Sequence, residues 1–103
     1  MVSDITLSEK QLRYLRGRAH ALNPVIQIGQ AGLTAGVRAE TARALTDHEL
    51  IKVRVQAADR AARDALVAEL ARQTDSALVQ RIGHVAVLFK PRAPLSRIPL
   101  PEA

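Results

Sequence analysis

Apolar positions along the chain change period several times, and each change marks an element. Leu12, Leu15 and Ala19 recur at i, i+3 and i+7, the spacing of one helical face. Ser8 with Gln11 fits a capping box, and Leu7 and Leu12 take the two positions of a hydrophobic staple. A first helix is therefore expected from Glu9 to His20. Asn23-Pro24 stops it, because the residue before a proline disfavours the helical region. Val25 to Ile28 is short and rich in β-branched residues, which predicts a strand. Gly29-Gln30-Ala31-Gly32 then reads as a tight turn. Thr34 follows as the cap of a second helix with an inward face of Val37, Thr41, Ala44 and Leu45, ending near Asp47-His48.

From Leu50 to Gln56 the period falls to two. Ile51, Val53 and Val55 face one way; Lys52, Arg54 and Gln56 face the other, as in a half-buried strand with a basic outer face. Asp59 caps a third helix whose seam is Ala62, Leu66, Val67 and Leu70. Ala77 to Ile82 and Val85 to Lys90 flank Gly83-His84, a loop short enough for a hairpin. The fourth strand is apolar on both faces, so it is expected to be covered on both sides or central.

Residues 1–6 form a short lead. Residues 7–92 form one domain, and 93–103 a proline-rich tail with no core of its own, either draped on the domain or free. The element order α-β-α-β-α-β-β predicts an α/β fold, a two-layer sandwich with a mixed four-stranded sheet. Strand–helix–strand twice over implies parallel neighbours with right-handed crossovers, and the hairpin adds one antiparallel pairing.

Composition narrows the class of function. With one Phe, one Tyr and no Trp, the core is aliphatic and stacking of bases on aromatic platforms is disfavoured. Tyr14 and Phe89 are the two aromatic candidates, and Phe89 reads as core. The net charge is +5, which favours anionic partners. Lys10, Arg13, Arg16 and Arg18 lie in a stretch, Lys10 to His20, that holds no acid. The absence of cysteine excludes disulfides, thiol catalysis and cysteine-based metal sites. No apolar run approaches the ~20 residues of a membrane span, and the polar first residues do not read as a signal peptide. A cytoplasmic protein is expected.

The glycine turn carries the candidate chemistry. A strand, a G-x-x-G loop and a helix start bring free backbone N–H groups and a partial positive charge to one place, where a phosphate can sit. Loops of this kind clamp the nucleic-acid backbone in KH domains. Catalysis finds no support. His20, His48 and His84 lack the spacing of a helical metal site, and the loop lacks the lysine and Ser/Thr of a nucleotide-hydrolysing P-loop. His48-Glu49 reads as a helix-end capping or packing pair, and His20 as closing the turn into the first strand. No enzyme activity, metal, cofactor, small-molecule substrate or membrane partner is expected.

Five segments in order resemble the CRM domain in its small bacterial single-domain form, YhbY. They are Leu7-Ser8-Glu9-Lys10-Gln11, Ala19-His20-Ala21-Leu22-Asn23-Pro24-Val25, Ile28-Gly29-Gln30-Ala31-Gly32-Leu33-Thr34, His48-Glu49-Leu50-Ile51-Lys52-Val53 and Val79-Gln80-Arg81-Ile82-Gly83. The resemblance spans about residues 7 to 92. It implies a fold similar to the C-terminal domain of translation initiation factor three. It also implies an RNA-binding module linked to precursors of the large ribosomal subunit, with Gly29, Gln30, Ala31 and Gly32 meeting RNA. Many loops of the family carry a basic or strongly polar pair between the glycines; Gln30-Ala31 has no charge. The burden then shifts to Arg13, Arg16, Arg18, Lys52, Arg54 and Arg38. The competing expectation is an assembly adaptor that docks a ribosomal protein through strand four and the tail.

Overall fold

Each helix begins at the residue whose side chain can cap it. The computed structural model describes residues 5–103, so the first four residues of the expected lead lie outside it. Helix α1 (Glu9–Ala19) opens on a reciprocal box. Ser8 Oγ accepts from the Gln11 N–H at 3.1 Å, and Gln11 Oε1 accepts from the Ser8 N–H at 3.0 Å. Thr34 Oγ1 accepts from the Val37 N–H at 3.1 Å to start α2 (Ala35–His48), and Asp59 Oδ1 accepts from the Ala62 N–H at 2.8 Å to start α3 (Arg60–Gln73). These bonds satisfy N–H groups that a helix start leaves without partners. Helix α1 stops at Ala19, with His20 as its C-cap.

Four strands, β1 (Pro24–Ile28), β2 (Leu50–Val55), β3 (Ala77–Ile82) and β4 (Val85–Phe89), form one mixed sheet in the order β1-β2-β4-β3. The β1–β2 pair is parallel, as expected across α2; β2–β4 and β4–β3 are antiparallel. The second expected parallel pairing does not form. β3 runs in the same direction as β2, but β4 inserts between them. The physical reason is composition: Ala86, Val87, Leu88 and Phe89 are all buried, whereas Leu78 and Ile82 of β3 are exposed. A strand apolar on both faces takes the inner place and leaves the edge to its more polar partner.

Alternation along β2 and β4 separates two cores. Ile51, Val53, Val55, Ala86 and Leu88 pack with Leu45 of α2 and Val67 and Leu70 of α3. Leu50, Val87 and Phe89 pack with Leu15 and Ala19 of α1. The sheet and the α2/α3 pair make the two layers of the sandwich, and α1 adds a partial third on the opposite face. It covers only the end of the sheet near Leu50 and Phe89. Both sheet edges are irregular, with register shifts between Pro24 and Ile26 and between Leu78 and Gln80.

The C-terminal segment is draped, not free. Ile98 is 7% exposed and joins the α1 core, with Leu100 packed against it. Gln11 Nε2 donates to the Pro101 carbonyl at 3.0 Å. The anchor is Glu49, 1% exposed and at φ 65°, a region that side chains rarely adopt. Its carboxylate accepts the N–H of Arg92 at 3.0 Å, the N–H of Arg97 at 2.8 Å and the Ser96 hydroxyl. Its carbonyl accepts the Lys90 N–H at 2.8 Å. The Arg92 and Arg97 guanidinium groups donate to the Thr46 and Asp47 carbonyls, the open C-terminal acceptors of α2. Glu49 is thus the packing residue expected of the His48-Glu49 pair, and its partners lie in the tail.

Burial opposes ionisation of Glu49, but the Ser96 hydroxyl, the Arg92 and Arg97 N–H groups and the Arg92 charge outweigh it and lower its pKa. A lowered folded-state pKa gives stability that is complete above the ordinary value of 4.5 and is lost as pH falls through the folded value. Glu49→Gln should therefore lower the unfolding free energy at neutral pH by roughly 2 kcal/mol, since an amide cannot accept every bond the carboxylate does. Urea titrations from pH 6 to pH 3 should show a flatter pH dependence in the variant than in the native chain. Equal slopes would show that the carboxylate is not the latch.

Candidate nucleic-acid interface

The glycine loop is built by the junction of β1 and α2. The Gly32 N–H donates to the Gly29 carbonyl at 3.1 Å, closing a four-residue turn, and the Gln56 N–H donates to the Ile28 carbonyl at 2.9 Å, tying the loop base to the end of β2. Gly32 has φ +74°, where a side chain is strained; Gly29 has no such constraint, and a Cβ there would meet nothing within 4 Å. Gln30 and Ala31, at the tip, are exposed. Thr34 caps Val37, and Ala35 and Gly36, the first two residues of α2, are exposed beside the loop. Arg38 stands one turn further along α2, exposed.

From the loop the register leads across the open sheet face. Gln27 pairs with Arg54, Arg54 with Val85, and Val85 with Ile82. One row further, Lys52 pairs with Val87 and Val87 with Gln80. Lys52 and Arg54 therefore stand on one face, about 6.6 Å apart along the strand. Arg16 of α1 lines the same hollow as Lys52. The structure brings Arg16 to Lys52, with Arg54 two residues along the same strand face; Gly29, Gln30 and Gly32 border a separate hollow with Gln56, Ala62 and Leu66 on the α3 side.

The remaining cations disperse. Arg13 is exposed on α1. Arg18 lies over the Tyr14 ring, 5.9 Å from its centroid, donates to its hydroxyl at 3.2 Å, and lines a different cleft with Leu22, Asn23 and His48. Tyr14 packs against the α1 core and Phe89 is fully buried. His84 sits in the hairpin with Nδ1 3.1 Å from Arg63 Nη1 and 3.3 Å from the Val55 carbonyl.

Helices α2 and α3 carry both signs, with Arg38, Arg43, Arg60, Arg63 and Arg72 among their acids, whereas the open sheet face carries cations alone. Glu40 and Asp47 lie on α2, and Asp64 and Glu69 on α3. Two of these are paired: Asp64 with Arg81, and Glu69 with Arg72. Hydrogen bonds from Arg72 and Gln73 hold the Glu69 carboxyl down at about 2. The open sheet face presents Gln27, Lys52, Arg54, Gln80, Ile82 and Val85 and no carboxylate. Among the described residues, no group of three or more His, Asp or Glu side chains is arranged to hold a metal ion, and no helix is long and apolar enough to cross a membrane.

Sequence reasoning missed Gln80 and undervalued His20, both of which line the Arg16–Lys52 hollow. Gln80 could be found only through the β4–β3 register, which sequence periodicity leaves open.

The CRS1 / YhbY (CRM) domain describes residues 7–90. An RNA-binding protein of Haemophilus influenzae is 51% identical over 86 residues, 84% of this chain and 87% of the relative. A Pseudomonas aeruginosa protein, named a probable RNA-binding protein, is 44% identical over 98 residues, 91% of this chain and 94% of the relative. The solution structure of a Staphylococcus aureus protein, described as a candidate RNA-binding protein, superposes with a TM-score of 0.81 at 35% identity. It covers 93% of this chain and 100% of that one.

The loop geometry separates its two glycines. Gly32→Ala should cost about 1–2 kcal/mol of stability, the penalty for a side chain in the left-handed region. Gly29→Ala should stay within about 0.5 kcal/mol, as for ordinary surface changes. Thermal melts of both variants check this; equal losses would mean that the turn is not the one described.

Proposed function

The chain belongs to the CRS1 / YhbY (CRM) domain family, and from there we propose that it binds RNA through the Gly29–Gly32 loop and the acid-free sheet face. One observation carries the reading. Lys52 and Arg54 share a sheet face that bears no carboxylate and Arg16 reaches it from α1, while helices α2 and α3 carry acids and arginines together. Such a field orients a polyanion toward one face before contact. The α2 start offers N–H groups to one phosphate, and Arg54, Lys52 and Arg16 extend the track. The uncharged Gln30-Ala31 tip leaves the loop to act through its backbone. Phosphate contacts position a protein without reading sequence, which suits a structured RNA. Arg13, Arg18 and Arg38 add general attraction at the periphery.

The resemblance to the bacterial single-domain form supports the finer reading, ribosomal RNA in precursors of the large subunit, and with it a cytoplasmic setting and a binding role rather than catalysis. The adaptor reading required an accessible strand four. Four of the five β4 residues are buried and the tail is bound to Glu49, which favours the RNA reading over docking through these elements.

The native protein should bind large-subunit ribosomal RNA fragments and weaken steeply with salt, with a log–log slope of about −0.7 per phosphate contact for single strands. The triple variant Arg16→Glu, Lys52→Glu, Arg54→Glu should keep its circular dichroism and lose binding. Equal binding by the variant would remove the sheet face from the interface. No binding by the native protein would overturn the RNA reading.

A further inference from the structure

A hollow of about 240 Å³ opens where α1 meets the uncovered half of the sheet. Arg16 and His20 border it from α1, Lys52 from β2 and Gln80 from β3, and Val85 and Val87 line it from β4. The register accounts for the arrangement. Val87 pairs with Lys52 on one side and with Gln80 on the other. The three side chains therefore stand in one row on one face, with neighbouring Cβ atoms about 5 Å apart.

Three of the four polar side chains around this hollow are uncommitted. Among the described residues, the side chains of Lys52, His20 and Gln80 make no hydrogen bond or ion pair. Arg16 has an exposed contact of 3.5 Å with Glu9, and no carboxylate lines the hollow. An apolar patch made of flat-lying strand side chains is thus bounded by cations on one side and a primary amide on the other. A nucleotide carries the complementary parts in the same order: a negative phosphate, a planar apolar face and a hydrogen-bonding edge. The hollow is smaller than the roughly 300–1,000 Å³ of drug-sized sites, so it fits one base and not a pair. A base already paired would also have its edge occupied.

We propose that this hollow receives one unpaired RNA nucleotide, its base against Ile82 and Val85, its edge read by the Gln80 amide and its phosphate held by Arg16 and Lys52. The proposal rests on the RNA-binding reading and deepens it. The phosphate track gives position without sequence. Gln80, which offers both donors and an acceptor, adds selectivity at a single position.

The test uses the full chain with short oligo-A, oligo-C and oligo-U and with an RNA duplex, measured by fluorescence anisotropy at fixed salt. Single strands should bind more tightly than the duplex, with a spread of about fivefold among the three, the worth of one hydrogen bond. Gln80→Leu, which keeps the apolar patch, should compress that spread below about twofold. In the native protein, the Gln80 side-chain amide resonance should shift on addition of the preferred oligonucleotide; this readout does not depend on the variant folding. A spread unchanged in Gln80→Leu, tighter binding of the duplex, or an amide that moves with poly-glutamate or inorganic phosphate but not with RNA would each overturn the proposal while leaving phosphate-track binding standing. Absence of any RNA binding would overturn both.

Discussion

One buried carboxylate holds together parts of the chain that are far apart in sequence. Glu49 ends α2, begins β2, receives the chain as it leaves β4, and accepts the tail's N–H groups. Hydrogen bonds to a buried charge are among the stronger ones a protein makes, and here they fix the direction in which the last residues leave the sheet. That direction carries Ile98 and Leu100 under α1 and brings the Pro101 carbonyl to Gln11. The tail and the sheet thus hold α1 from two sides at one end of the sheet, and the other end stays uncovered. The acid-free face owes its existence to where α1 is stopped.

Local chemistry was legible in the sequence, and long-range pairing was not. Ser8, Thr34 and Asp59 cap their helices because short oxygen-bearing side chains satisfy N–H groups two or three residues away, a purely local requirement. The two-faced character of β2 followed from its alternation, and the inner place of β4 from its apolar run. Which strand neighbours β2 depends on a comparison between β3 and β4 that no local window contains. The tail shows the same limit. Its prolines signalled a segment without helix or strand, but Glu49, which captures it, lies more than forty residues away in sequence and looked like an ordinary helix end.

The candidate site divides along the same line. Lys52 and Arg54 were visible because a strand displays them by parity. Arg16 was visible within an acid-free helical segment, but that segment also suggested Arg13 and Arg18, and only helix rotation against the sheet tells them apart. Arg16 turns toward Lys52, Arg18 toward Tyr14. The glycine loop was legible as a turn, and the structure distinguishes its members: Gly32 is required by backbone angle, Gly29 is not.

The irregular sheet edges bear on behaviour in a crowd. A sheet grows from one molecule to the next when an edge strand offers a straight, unbroken row of N–H and C=O groups. Here β1 begins with a proline and slips register beside it, and β3 slips at Val79. A basic protein concentrated along a polyanion meets many copies of itself at close quarters. With both edges broken, those copies can sit side by side without zipping into fibres.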